Sequence, residues 1–104
     1  MADFITKQGD TRNALEAHLK ENGVTIDLTN CTVNFILHDD DTVLINRSAT
    51  ITDATNGIVV MNFTESELDN IGEFEGEFKV TFSGGEVETF PNQDYLDIKI
   101  LKSL

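Results

Sequence analysis

The sequence predicts an all-β protein, an antiparallel β-sandwich of seven to eight short strands, and three observations carry that expectation. From Phe74 to Phe82 the residues alternate: Phe74, Gly76, Phe78, Val80 and Phe82 share one face, and Glu75, Glu77, Lys79 and Thr81 share the other. Successive side chains of a strand point to opposite faces, so this is a strand with one apolar side and one wet side. Ser83-Gly84-Gly85 then supplies residues that tolerate positive φ, and a second run containing apolar residues follows, which reads as a hairpin. Comparable runs bounded by turn residues recur along the chain at the spacing of about 8–12 residues that sandwiches use. Four of the seven phenylalanines (74, 78, 82 and 90) lie between residues 72 and 91, which places the core there.

Residues 3–8 read as a short opening strand, ended by Gly9 and Asp10. Residues 12–21 fit two templates. Leu15 and Leu19, with Ala14, Glu16, Ala17 and Lys20, satisfy a helix that Asp10 would cap. Leu15, Ala17 and Leu19 equally satisfy a strand of period 2. Propensity favours the helix. The turn signal Glu21-Asn22-Gly23, with Val24, Ile26 and Leu28 alternating behind it, favours the strand, and the strand is the reading taken here.

Thr32 to His38 is the next strand, with Val33, Phe35 and Leu37 inward and Asn34 outward, and Asp39-Asp40-Asp41 ends it in a charged turn. Thr42–Ile45 and Ala49–Thr52 are rich in β-branched residues and read as one strand interrupted near Asn46-Arg47-Ser48. Asp53 to Gly57 is a turn, and Ile58 to Phe63 is a strand with Val59, Met61 and Phe63 on one face. Thr64 to Leu68 reads as one helical turn, Thr64 capping and Glu67 completing a capping box. Pro91 cannot donate to a ladder, so it closes the returning strand of the hairpin or lies at an edge. Tyr95 to Ile100 alternates as the last strand.

A chain of 104 residues is expected to form one domain, residues 1–104, burying roughly 60–70% of the surface its unfolded form would expose. Seven basic residues against nineteen acidic ones leave a net charge of −12. That field repels nucleic acid and anionic membrane and favours a basic partner. A single cysteine, Cys31, allows no intrachain disulfide. The N-terminus has no apolar signal core, and no run is long enough to cross a bilayer, so the expectation is a protein made in the cytoplasm and kept there or released by lysis.

No catalytic, cofactor-binding or metal-ligating residues are assigned. His18 and His38 are the only imidazoles, neither lies in a nucleophile motif, and both are expected on solvent-facing strand positions. Cys31 has no flanking base to lower its pKa and reads as a small buried hydrophobe. One cysteine and two distant histidines make no zinc spacing. Asp39-Asp40-Asp41 offers oxygens for calcium, but the positions where a calcium loop needs glycine and glutamate hold Leu44 and Thr50. Gly84-Gly85 joins strands and opens no helix, so it is no phosphate loop.

The remaining feature is electrostatic. Six acids and no base lie between Glu65 and Glu77, and Glu73, Glu75 and Glu77 share one strand face. Such a row either keeps sheet edges from aggregating or docks a basic partner surface, with Glu73, Glu75 and Glu77 as the candidate docking face. A carbohydrate-binding adhesion module is the other class considered. With no tryptophan and one tyrosine, its only candidate stacking platform is Tyr95.

The order of these pieces resembles a known family. Phe4 to Thr11 (Phe-Ile-Thr-Lys-Gln-Gly-Asp-Thr), Leu19 to Thr29 (Leu-Lys-Glu-Asn-Gly-Val-Thr-Ile-Asp-Leu-Thr) and Val33-Asn34-Phe35 look like the opening of the phage baseplate upper protein N-terminal domain. Gly57-Ile58-Val59 with Phe63-Thr64 fits its next block. Gly72 to Phe78 is similar to its Gly-x-Tyr-x-Ala-Glu-Phe pattern, with Phe74 for the tyrosine and Gly76 for the alanine. Phe82 to Gly85, Thr89-Phe90-Pro91 and Ile98-Lys99-Ile100 complete it. The resemblance implies an immunoglobulin-like sandwich that acts as a structural attachment module in tails of phages infecting Gram-positive bacteria. There the domain seats a larger protein beside the distal tail ring, while C-terminal regions carry receptor-binding parts. The implied partners are other phage tail or baseplate proteins, the distal tail protein among them, and ring symmetry is compatible with a homo-oligomer. The implied location is the virion tail, after synthesis in the bacterial cytoplasm. This sequence stops after the domain, which makes it a truncated piece of a longer protein or a small stand-alone accessory.

Overall fold

Phe74, Phe78 and Val80 are buried on one side of a ten-residue strand, Gly72–Thr81, and the other elements are arranged about it. The computed structural model describes residues 3–104. In chain order the strands are β1 (Phe4–Lys7), β2 (Leu15–His18), β3 (Lys20–Glu21), β4 (Val24–Thr25), β5 (Thr32–Asp39), β6 (Thr42–Ser48), β7 (Thr50–Asp53), β8 (Ile58–Met61), β9 (Gly72–Thr81), β10 (Val87–Phe90) and β11 (Leu96–Leu101). They form a β-sandwich. The larger sheet runs β1-β11-β9-β5-β6, with β10 also on β9; the smaller runs β2-β8-β7; β3 and β4 pair as a separate hairpin.

Length explains why β9 is central. One of its edges takes β5, from Glu75 to Thr81. The other edge takes two strands in series, β11 along Gly72–Gly76 and β10 along Phe78–Thr81. The Ser83–Gly85 turn thus makes the expected hairpin, and Pro91 ends its returning strand. β1 closes the sheet by pairing parallel to β11, from Phe4 opposite Ile98 to Lys7 opposite Leu101. This one parallel ladder joins the two ends of the chain, and Asp3 secures it: its amide donates to Asp97 O, and its Oδ2 accepts the Asp97 amide, both at 2.8 Å.

Within residues 12–21 the chain forms strands at Leu15–His18 and Lys20–Glu21 and no helix, with Leu15 and Leu19 buried, so tertiary context overrides the helical propensity of this run. Asn22 (φ 52°) and Gly23 (φ 80°) both take the left-handed conformation that a two-residue hairpin turn requires. The strand behind it is only two residues long, and Val24 is 67% exposed. Ile26 and Leu28 still point inward, held by amide bonds to Leu19 O and Ala54 O.

The reading of residues 42–52 is corrected. Asn46, Arg47 and Ser48 do not interrupt a strand; they continue β6 against Ile36, Phe35 and Asn34. The break is at Ala49, where the chain leaves the larger sheet and enters the smaller one as β7. The Ala49 amide donates to Val33 O at 2.9 Å, so the crossing leaves no orphan donor there. Ile58 to Met61 is strand as expected, and Phe63 continues inward beyond it.

The sheets meet through aromatic rings. Phe63 stands edge-on to Phe35 with centroids 5.7 Å apart, and Phe35 packs on Phe78 at 5.1 Å and Phe63 on Phe4 at 5.8 Å. Both geometries suit the ring quadrupole. Gly76 lies beneath this cluster, where an added Cβ would come within 3.1 Å of Phe35 and Ile98 side-chain atoms.

Gly57 closes the β7–β8 turn at φ +67° and accepts the Leu19 amide at 2.8 Å. A Cβ there would meet two backbone oxygens, Ile26 O at 2.7 Å and Leu19 O at 2.9 Å. Gly57→Ala is therefore expected to destabilise the fold by about 2 kcal/mol or more, since strain and clash add. Gly23→Ala, at φ +80° with nothing within 4 Å, should cost only about 1 kcal/mol. Urea melts of the two variants check this, and equal losses would contradict it.

Candidate functional site

The three glutamates singled out by the sequence stand in one row. Glu73, Glu75 and Glu77 occupy alternate positions of β9 on the face away from the core, about 7 Å apart along the strand. Because both edges of β9 are occupied, they guard no sheet edge. Their row lies on an open sheet face, flanked by two strands whose side chains decide its character.

On the β11 side, Lys99 sits opposite Glu73, its Nζ 3.6 Å from Oε1, and Asp97 sits opposite Glu75. On the β5 side, His38 is opposite Glu75 with Nδ1 3.9 Å from Oε1, and Ile36 is opposite Glu77. The row is thus acidic, with Lys99 beside its first member, an imidazole beside its second, and Lys79 following its third on the same face of β9. Among the described residues Glu77 has no ion-pair partner. Exposed pairs like Lys99–Glu73 contribute little to stability, which leaves the row free to exchange partners.

The histidine expectation holds for His18, exposed on β2, and is corrected for His38, whose side chain is only 12% exposed. Its ring stands edge-on to Tyr95 with centroids 4.8 Å apart, and its Nδ1 lies 3.2 Å from Asp40 O. Tyr95, the candidate sugar platform, is 46% exposed and committed to this contact. Cys31 is half-buried before β5, its thiol donating to Thr29 O and pushed up in pKa by burial. Asp39 ends β5, and Asp40 and Asp41 form the exposed turn behind it, Asp40 at φ 50°. No group of three or more histidine, cysteine or acidic side chains is placed to hold a metal among the described residues.

The other half of the acidic run serves a different purpose. Thr64 and Glu67 make the expected capping box: the Thr64 amide donates to Glu67 Oε1 at 2.8 Å, and the Glu67 amide to Thr64 Oγ1 at 3.3 Å. A short 3₁₀ turn, Glu67–Asp69, follows and buries Leu68. Glu67 also receives both arms of Arg47, Nε at 2.7 Å and Nη2 at 2.8 Å, while Nη2 further bonds Asn62 O. A charge-assisted fork of this kind is among the stronger polar contacts in proteins. It ties β6 of the larger sheet to the segment leaving β8 of the smaller one. The sequence reading missed Arg47, since nothing local links it to a partner twenty residues on.

A family model described as the BppU N-terminal domain, that of the baseplate upper protein, matches residues 3–91. The chain belongs to this family. It is a phage baseplate structural domain of the virion tail, associated with other tail or baseplate proteins, and the BppU N-terminal domain is not an enzyme family. The N-terminal domain of phage TP901-1 ORF48 is similar in structure, with a TM-score of 0.71 and 21% identity over 94% of this chain and 83% of that one. CopC from Methylosinus trichosporium OB3b has a TM-score of 0.56 and 9% identity over 100% of this chain and 88% of that one. At these identities the likeness shows a shared sandwich fold. No curated protein sequence matches the chain.

The fork also makes stability depend on pH. Hydrogen bonds from Arg47, more than any other cause, hold the Glu67 carboxyl below its ordinary value of 4.5. A carboxyl depressed on folding stabilises the native state above that ordinary value, and the contribution is lost as pH falls through the folded value. Glu67→Gln keeps a capping amide but loses the charge, and should cost about 1–3 kcal/mol at pH 7. The gap between wild type and variant, followed by denaturant melts, should close below about pH 4.5; a gap independent of pH would contradict it.

Proposed function

We propose that this BppU N-terminal domain is an attachment module of a phage or prophage tail, holding its place in the baseplate by protein–protein contacts made during assembly. The family match over residues 3–91 carries the reading. Glu73, Glu75 and Glu77 are its proposed docking face for a basic surface of a neighbouring tail protein, the distal tail protein being the first candidate. Two features support that assignment: the row lies in the middle of an open sheet face, and the net charge of −12 steers basic surfaces toward the domain. A repeated dock on a ring, or a ring of copies of this chain, would suit the symmetry of a tail.

Quantitative mass spectrometry of purified tailed particles tests the function. The polypeptide is expected at a fixed ratio to the tail-tube subunit, and its absence from intact particles would overturn the reading. Changing Glu73, Glu75 and Glu77 together to lysine should weaken docking at low salt by about tenfold or more, an effect that shrinks toward 1 M salt as screening shortens to about 3 Å. Unaltered docking at low salt would remove this face from the account.

A further inference from the structure

Among the described residues β2 has one ladder only, with β8, and its second edge is unpaired. That edge borders a gap in the opposite sheet. On β9, Gly76 is the last residue paired with β11 and Phe78 the first paired with β10. Residues 91–95 leave the sheet between them. The result is a cleft of about 290 Å³ lined by Leu15, Ala17 and Leu19 on one side and by Phe90, Pro91 and Leu96 on the other.

Its size and surroundings point to one kind of occupant. The volume is just below the range of about 300–1,000 Å³ typical of small-molecule sites, and fits one or two apolar side chains. An unpaired strand beside an apolar cleft is what strand addition needs: main-chain bonds to the edge, and a pocket for alternate side chains. The rim is acidic. Two acids, Asp3 and Glu16, line the mouth with one lysine, Lys20, and one imidazole, His18. On β10, two residues before Phe90, Glu88 faces Glu21 of β3, and burial together with that neighbour raises the Glu88 pKa. Asn92, in the loop that opens the gap, bonds Glu88 Oε2 at 3.0 Å. A second copy of a chain with net charge −12 would bring like charges to this mouth, whereas Lys or Arg would neutralise them.

We propose that an extended segment of a neighbouring protein, with an apolar anchor flanked by Lys or Arg, pairs with the free edge of β2 and seats its anchor in this cleft. On the baseplate reading, on which the identity of that neighbour rests, it is another tail protein. The surface is separate from the glutamate row on β9.

The test is an amide NMR titration of the whole chain with the synthetic peptide Lys-Val-Lys-Leu-Lys-Val. Saturable shifts are expected at residues 15–19 and 90–96, at least tenfold weaker with the glutamate counterpart Glu-Val-Glu-Leu-Glu-Val. Glu16→Lys, an exposed change, should weaken the lysine peptide by threefold or more while leaving the spectrum of the free protein folded. Shifts confined to Glu73–Glu77, absent shifts, or equal binding of both peptides would overturn the cleft. Because the titration uses no phage particle, its failure removes the cleft alone, and absence of the chain from particles removes the baseplate reading alone.

Discussion

Ten residues of unbroken alternation, Gly72 to Thr81, set the dimensions of the larger sheet. A shorter strand would accept one neighbour on each edge; this one accepts β5 along one side and β11 and β10 end to end along the other. Since β11 in turn carries β1, the two ends of the chain meet on the same sheet. The inward side chains of the strand supply the Phe78 ring that meets Phe35, and Phe35 meets Phe63 from the opposite layer. Burial of such rings is the main favourable term a sandwich of this size has. The same geometry leaves the gap between β10 and β11, because two strands cannot share one edge without a seam.

The second constraint is the change of sheet at Ala49. Consecutive strands that join different layers need something to hold the layers in register close to the crossing. Arg47, two residues before it, does so by reaching Glu67 and Asn62 O. Glu67 is shared between this fork and the Thr64 capping box, so one carboxylate organises both a turn and an inter-sheet contact. That is why only part of the acidic run is available to a partner.

On the proposed reading as an attachment module, the distribution of charge matters more than its sum. Lys99, Lys79 and His38 temper the β9 row, and Asp3 and Glu16 stand with Lys20 and His18 at an apolar opening. The first arrangement favours long-range steering and the second favours short-range anchoring; interfaces commonly divide these tasks between rim and core.

What the sequence by itself determined is what short-range physics encodes. Period-2 alternation identified β5, β8, β9 and β11, and the inward residues of the first three, because the pleat repeats every two residues whatever the partner. Asn22-Gly23 and Ser83-Gly84-Gly85 marked their turns, because positive φ is a local steric matter. The glutamate row and the Thr64–Glu67 box were legible for the same reason. The tertiary structure alone decided which strands share a sheet, the parallel closure of β1 on β11 across 94 residues (Asp3 to Asp97), the crossing at Ala49, the Arg47–Glu67 fork, the cover over His38, and the cleft beside β2. Each joins residues far apart in the chain, and a local pattern states which face a side chain takes but not what will be packed against it.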